Sequence, residues 1–356
     1  MPSVSTETPT LPAGQCRDQA TDSGPEAIKS ESGESWTMYH GDCCEVVAGL
    51  PDDSIDFGIH SPPFANLYIY SDSERDMGNS ADSEEFFEHY RFLIRELHRV
   101  TVVGRLCAVH CKDLPMYANR DGTTGLIDFP GEIIRAFREC GWAFHSRVTI
   151  WKCPVLERER TNNNGLLHKT VKRDRSQVRQ GMADYIVVFR KPPVGTLMSD
   201  SPISSNGFAE YHGEEDPRTT ECPHPSPYAR ISRRTISVSI DIEKMNESVQ
   251  IWRRYAEPVW WDINQTNVLN HKAGTTPEDE KHICPLQLDV IERCVHLWSL
   301  PGDVVLSPFA GVGSEGYVSV KMERRFVGVE LKESYFSVAC KHLREAEAET
   351  KQEKMF

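Results

Sequence analysis

The chain predicts an α/β fold, a mostly parallel sheet with helices on its faces, and three observations carry the prediction. Strand-like apolar stretches alternate with amphipathic ones, in the order strand, helix, strand, helix, strand, through the first half of the chain. Two of these stretches, Ser54-Ile55-Asp56-Phe57-Gly58-Ile59 and Asp303-Val304-Val305-Leu306, run directly into irregular loops, His60-Ser61-Pro62-Pro63-Phe64 and Ser307-Pro308-Phe309-Ala310-Gly311-Val312-Gly313. The second loop is followed by a helix candidate, Tyr317 to Met322, and by a strand, Arg325-Phe326-Val327-Gly328-Val329, that ends in Glu330. Open α/β sheets bind ligands at the carboxyl ends of their strands, where both loops fall.

Each element has its own local signal. Met1 to Glu34 is rich in Ser, Thr, Pro and Glu and lacks the apolar core of a signal peptide, so residues 1–35 are expected to form a disordered tail. Thr37 to Leu50 leads through the turn Asp52-Asp53-Ser54 into the first of the two strands. In Ser83 to Leu97, a Ser cap, early acids and apolar residues at Phe86, Tyr90, Leu93 and Leu97 spell an amphipathic helix. Val102 to His110 reads as a strand, Gly131 to Cys140 as a helix, and Phe144 to Trp151 and Asp184 to Phe189 as strands.

Between Lys191 and Tyr255 the pattern dissolves into Pro, Ser, Gly and Glu, which reads as an insertion. Order returns at Val259-Trp260-Trp261-Asp262-Ile263, and Leu286 to Leu300 has helical spacing that Pro301-Gly302-Asp303 stops. Residues 36–155 and 256–345 are therefore expected to be two halves of one sheet domain. Residues 156–255 would be a separate region and 346–356 a charged tail.

Composition narrows the function classes. No stretch approaches the roughly 18 consecutive apolar residues of a membrane span, so a cytoplasmic protein with no membrane partner is expected. Eleven scattered cysteines without a Cys-x-x-Cys pair point to a reducing compartment and to no metal site. The formal net charge is −13, yet Arg147 to Lys191 holds eleven Lys and Arg against four Asp and Glu. Phosphate binding responds to the field within about 8 Å, so overall acidity is compatible with a basic groove.

In Ser61-Pro62-Pro63-Phe64 the prolines fix the backbone and donate no hydrogen bond, leaving the Ser61 hydroxyl and the Pro62 carbonyl as acceptors. Two acceptors holding the hydrogens of a ring amine would favour a pyramidal nitrogen, with its lone pair aimed at an electrophilic methyl group, while Phe64 stacks on the ring. A paired base cannot enter such a pocket without flipping out of its helix. A rigid turn packed on the core explains the same four residues. In the second loop Gly311 and Gly313 permit close backbone approach, and Glu330, about twenty residues beyond, sits where a dinucleotide fold binds ribose hydroxyls. A plain βαβ turn with a surface Glu is the alternative there.

These residues resemble a known family. Tyr39-His40-Gly41-Asp42-Cys43, the Ser-Pro-Pro-Phe loop, Lys281-His282-Ile283-Cys284-Pro285-Leu286 and Pro301-Gly302-Asp303-Val304-Val305-Leu306 with the Gly loop look like the DNA amino-methyltransferases. The order, catalytic motif first and cofactor motif last, is that of their beta group. The resemblance implies a Rossmann-like S-adenosylmethionine-dependent methyltransferase sheet with an inserted target-recognition region, and double-stranded DNA as partner. It implies a methyl-transfer pocket of Ser61, Pro62, Pro63 and Phe64. Phe309, Gly311, Gly313, Ser314 and Glu330 would form the cofactor site, over which Asp42 and the segment from Lys281 to Pro285 close. The family commonly has Asp-Pro-Phe and Gly-Ser-Gly-Thr where this chain has Ser307-Pro308-Phe309 and Gly311-Val312-Gly313-Ser314.

A leading Ser in the Pro-Pro motif is typical of cytosine-N4 methylation in that family and Asp of adenine-N6, so cytosine is favoured over adenine. Lys169, Lys172, Arg173, Arg175 and Arg179 would contact DNA from a loop spanning Glu157 to Arg179, unless they are only a solvated charged surface. His110, His145 and His168 share no ligand spacing and read as ordinary core or surface histidines, and Trp260 and Trp261 as core or pocket wall. A homodimer and a cognate restriction nuclease are partners the resemblance allows. A DNA-binding protein on a retired methyltransferase scaffold, or an enzyme methylating amines of RNA or protein, would be built from the same motifs.

Overall fold

A computed structural model describes residues 28–63, 77–80, 83–161, 164–193, 251–270 and 285–353. Its strands are β1 (Lys29–Ser32), β2 (Trp36–His40), β3 (Ile55–His60), β4 (Thr101–Lys112), β5 (Leu114–Met116), β6 (Gly125–Ile127), β7 (Ala143–Ile150), β8 (Asp184–Arg190), β9 (Val259–Trp260), β10 (Val304–Ser307) and β11 (Arg325–Glu330). Its helices are α1 (Cys43–Ala48), α2 (Ser83–Val100), α3 (Ala118–Asp121), α4 (Phe129–Glu139), α5 (Pro154–Thr161), α6 (His168–Arg173), α7 (Leu288–Trp298), α8 (Ser314–Lys321) and α9 (Glu333–Glu353).

The near-continuous apolar runs of the central strands suit a sheet buried on both faces. Nine strands form one sheet in the order β1-β2-β11-β10-β3-β4-β8-β7-β9. From β2 to β4 neighbours run parallel, while β8 is antiparallel to both β4 and β7. One face packs under α1, α2 and α4, with Phe86, Tyr90, Leu93 and Phe137 buried there. The other packs under α7, α8 and α9 through Val290, Ile291, Val318 and Phe336.

Chain direction reverses its course at the middle of the sheet. From β3 the chain crosses through α2 to β4 on one side, and from β10 it crosses through α8 to β11 on the other. β3 and β10 are themselves hydrogen-bonded, with Val305 opposite Phe57 and Leu306 opposite Gly58. This is a topological switch point, and the crevice outside its carboxyl ends is the ligand position of such folds.

The structure revises several boundaries. Residues 29–32, expected in the tail, form the edge strand β1, held antiparallel to β2 and tied to α9 by Lys29–Glu333 and Glu31–Arg344 ion pairs. The expected charged tail is helical through Glu353, because Ala346 is buried and Glu349 binds Tyr317 Oη at 2.8 Å and Lys321 Nζ at 3.0 Å. The region 156–255 is not separate throughout, since β8 within it is a full member of the sheet. Glu157 to Arg179, expected as a loop, contains α6 and the end of α5. Residues 1–27, 194–250 and 354–356 lie outside the described residues, and so does most of the insertion.

Candidate active site

Ser61 follows β3 directly and is half-buried, with Pro62 and Pro63 buried behind it. Its Oγ lies 2.9 Å from Nδ1 of His110 on the neighbouring β4. His110 Nε2 lies 3.2 Å from Asp184 Oδ2 at the start of β8. Asp184 Oδ2 also receives Lys152 Nζ at 2.7 Å, and Lys152 reaches Gln287 Oε1 at 3.2 Å. A polar chain thus runs from the Pro-Pro loop across β4 and β8 to the residue two positions beyond Pro285. Phe64 lies outside the described residues.

His60, the residue before Ser61, is fully buried. Its Nε2 meets Tyr90 Oη at 2.7 Å, and burial pushes its pKa down to about 3, so the ring is neutral. The Phe309 ring packs 5.7 Å from His60 and 6.4 Å from Tyr90, which couples the loop after β10 to the strand that carries Ser61.

The Gly loop is shaped by its backbone. Gly311 has φ 53° and Gly313 φ 85°, left-handed values that favour glycine. A Cβ on Gly311 would have nothing within 4 Å, whereas one on Gly313 would meet Ala339 Cα and Cβ of α9 at 3.1 Å. Of the two, Gly311 opens toward space for a ligand, and Gly313 is needed for helix packing. Gly311 N donates to Glu330 Oε2 at 2.8 Å, and Lys332 N donates to Oε1 at the same distance. The hydroxyls of Ser307 and Ser314 are buried and have no hydrogen-bond partner among the described residues. A glycine bordering open space, two orphaned hydroxyls and a carboxylate able to accept further hydrogen bonds fit a polar, hydroxyl-bearing cofactor.

Glu315, in the first turn of α8, is buried, and burial followed by repulsion from Glu330 pushes its pKa up to about 8. Asp42 caps α1, accepting from Cys44 N at 2.7 Å and Glu45 N at 3.3 Å, which gives it a structural duty at the carboxyl end of β2. Pro285 is half-buried beside Leu286, while Lys281 lies outside the described residues. Lys169, Lys172, Arg173 and Arg175 are exposed on α6 and the turn after it, and Arg179 is half-buried with Nη1 3.4 Å from the Gly125 carbonyl. Because β7 runs parallel to β9 and ends where β8 begins, residues 151–183 sit at the same sheet edge as Ser61 and Gly311.

Sequence reasoning missed His110, Asp184 and Lys152. They share no local motif, and only the pairing of β4 with β8 and of β8 with β7 brings them together. Trp260 is core, 1% exposed, while Trp261 is 44% exposed.

A switch-point crevice flanked by a Ser-Pro-Pro loop and a Gly loop with its acid defines a Rossmann-like methyltransferase of the amino-methylating class. A family comparison agrees: the N6/N4 DNA methylase model matches residues 55–341, and the chain belongs to that family. S-adenosylmethionine is the methyl donor of the family. The type II methyltransferase M.XycI of Xanthomonas campestris pv. cyanopsidis is 35% identical over 80 residues, 22% of this chain and 26% of that protein. The DNA adenine methyltransferase YhdJ of Escherichia coli (strain K12) is 32% identical over 83 residues, 23% and 26% of the two chains. The matched stretch thus spans only about a quarter of these relatives.

Two solved structures share the fold. The DNA modification methylase TTHA0409 of Thermus thermophilus, complexed with S-adenosylmethionine, matches with TM-score 0.54 and 21% identity over 87% of this chain and 93% of that one. The cytosine-N4-specific PvuII DNA methyltransferase matches with TM-score 0.53 and 14% identity over 90% and 93%. No helix among the described residues is long and apolar enough to cross a membrane.

Proposed function

We propose that the chain transfers a methyl group from S-adenosylmethionine to the exocyclic amine of a base flipped out of duplex DNA, with cytosine N4 as the target and adenine N6 as the runner-up. The observation that carries this is the direct pairing of β3 with β10, which sets the Ser61-Pro62-Pro63 loop beside the Gly loop at the switch point. Ser61 as the leading residue of the motif supports cytosine, in keeping with its family pattern. When bound, S-adenosylmethionine would supply an electrophilic methyl group on a sulfonium.

The chain's residues hold that chemistry in register. Gly311 would let the backbone approach the cofactor and Glu330 would accept its ribose hydroxyls. Ser61 Oγ and the Pro62 carbonyl would accept the amine hydrogens of the base. The Phe309, His60 and Tyr90 rings fill the wall between the two loops and keep it apolar, which limits water at the reacting nitrogen. Lys169, Lys172, Arg173 and Arg175, exposed at the same sheet edge, would bind phosphates and hold the duplex. Two further partners belong to the proposal, a second copy of the chain and a cognate restriction nuclease, with action in the cytoplasm on nucleoid DNA.

Long-read modification sequencing of DNA from cells expressing the chain tests the reading. Methylated cytosine amines within a fixed sequence context are expected. Methylated adenine amines move the target to the runner-up, and an unmodified genome contradicts the function.

A further inference from the structure

The polar chain behind Ser61 carries an inference of its own. His110 is 8% exposed on β4, with Nδ1 2.9 Å from Ser61 Oγ and Nε2 3.2 Å from Asp184 Oδ2. Burial raises the pKa of Asp184, but the hydrogen bond and charge of His110, with the charges of Lys152 and Lys112, outweigh it and hold the carboxyl well below the usual range. An ionised carboxylate only accepts, so the imidazole nitrogen facing it carries the hydrogen. In the neutral ring Nδ1 is then the acceptor, and Ser61 donates its hydroxyl hydrogen to it. The Ser61 lone pairs are left for the substrate. Without Asp184 either tautomer would serve, and Ser61 could equally present its hydrogen outward.

We infer that His110, held in its Nε2–H tautomer by Asp184, is a positioning residue that makes Ser61 an acceptor for the amine hydrogen of the target base and takes up the proton released on methylation. This rests on the methyl-transfer reading above. As the amine nitrogen forms its bond to the methyl carbon, the carbon–sulfur bond breaks, its electron pair stays on sulfur, and the nitrogen holds one proton too many. That proton passes to Ser61 Oγ while the Ser61 hydrogen moves to His110 Nδ1. The resulting imidazolium is paired with the Asp184 carboxylate and returns its proton to water after product leaves. Lys112 on β4, Asp184 on β8, Lys152 after β7 and Glu157 on α5 are the charged groups around this array. Lys152 also binds the Asp184 carboxylate and fixes its orientation. The arrangement follows the logic of a Ser-His-Asp triad, with the serine as acceptor rather than nucleophile.

The experiment uses the full chain, duplex DNA and labelled S-adenosylmethionine, with His110→Asn, His110→Ala and Asp184→Asn beside the wild type. Asn keeps an acceptor near the Nδ1 position but cannot take a proton. His110→Asn is expected to lose on the order of 100-fold in kcat, with the KM for DNA and the calorimetric affinity for S-adenosylmethionine nearly unchanged. In the wild type kcat falls at acid pH as His110 protonates, and this limb disappears in His110→Asn. Asp184→Asn lowers kcat because an amide can donate to Nε2 and favour the wrong tautomer. Independently of turnover, ¹⁵N NMR of the histidine rings, with His110 assigned by its loss in His110→Asn, is expected to show hydrogen on Nε2. A wild type that methylates DNA while His110→Asn keeps both its turnover and its acid limb overturns the inference and leaves the function standing, as does hydrogen found on Nδ1. A wild type that methylates no DNA overturns both. If His110→Ala does not fold, the His110→Asn comparison and the NMR measurement decide.

Discussion

The amide of Gly311 donates to Glu330 Oε2 at 2.8 Å, joining two residues 19 apart in sequence and on neighbouring strand ends. The second carboxylate oxygen accepts from Lys332 N, so one side chain locks the loop after β10 to the start of the segment entering α9. Glu330→Ala should lower the affinity for S-adenosylmethionine at least tenfold in calorimetry and cost about 1–3 kcal/mol of stability, because two backbone donors lose their partner. Full affinity would mean that Glu330 organises the loop without touching the cofactor.

The two glycines of the loop should respond differently. Gly311→Ala adds a Cβ into open space at φ 53°, so it should weaken cofactor binding strongly at a stability cost of about 1–2 kcal/mol from the left-handed backbone. Gly313→Ala drives a Cβ to 3.1 Å from Ala339 at φ 85°, so its main effect should be on unfolding, with a loss of roughly 2–4 kcal/mol. Denaturant titration beside calorimetry separates the two, and equal stability losses would remove the distinction.

Glu315 makes stability depend on pH. Its carboxyl is raised to about 8 by burial first and Glu330 second, above its unfolded value of 4.5. The folded state therefore binds more protons than the unfolded state between these values. The stability it contributes is full below pH 4.5 and is lost as pH rises toward about 8. Glu315→Gln should abolish this loss and be more stable than the wild type at pH 8.5, by on the order of a few kcal/mol. Equal denaturation midpoints for the two proteins at pH 8.5 would show that the buried carboxyl ionises without penalty.

The exposed cations of α6 and its following turn predict a salt-dependent affinity for duplex DNA. Replacing Lys169, Lys172, Arg173 and Arg175 with Ala should weaken binding and flatten log affinity against log salt by about 0.9 for each phosphate no longer neutralised. An unchanged slope would make α6 an ordinary solvated surface.

What was legible in the sequence follows the range of the interactions involved. The strands around Phe57, Val305 and Phe326, the amphipathic helix from Ser83 and the Gly loop have local signals, periodicity, capping and turn residues, and each was readable to within a few residues. β1 was not, because Lys-Ser-Glu-Ser has no strand pattern and is ordered by pairing with β2 and ion pairs to α9. Helix α9 outran its apolar stripe for a similar reason, its last turns being held by Tyr317 and Lys321 of α8. Ser61, Gly311 and Glu330 announce themselves through motif context, whereas His110 is 49 residues from Ser61 and 74 from Asp184. Nothing near His110 in the sequence distinguishes it from a core histidine. The need for glycine at position 313 was legible, but its cause, the approach of Ala339, was visible only once α9 was docked.

Transfer of label from S-adenosylmethionine to duplex DNA, with the product nucleoside identified by mass spectrometry, tests the central claim most directly. The wild-type chain should yield cytosine methylated at its exocyclic amine, and Ser61→Ala should lose most turnover while retaining cofactor and DNA affinity. Methyl transfer at full rate by Ser61→Ala, or no label on any exocyclic amine with the wild type, would contradict the account.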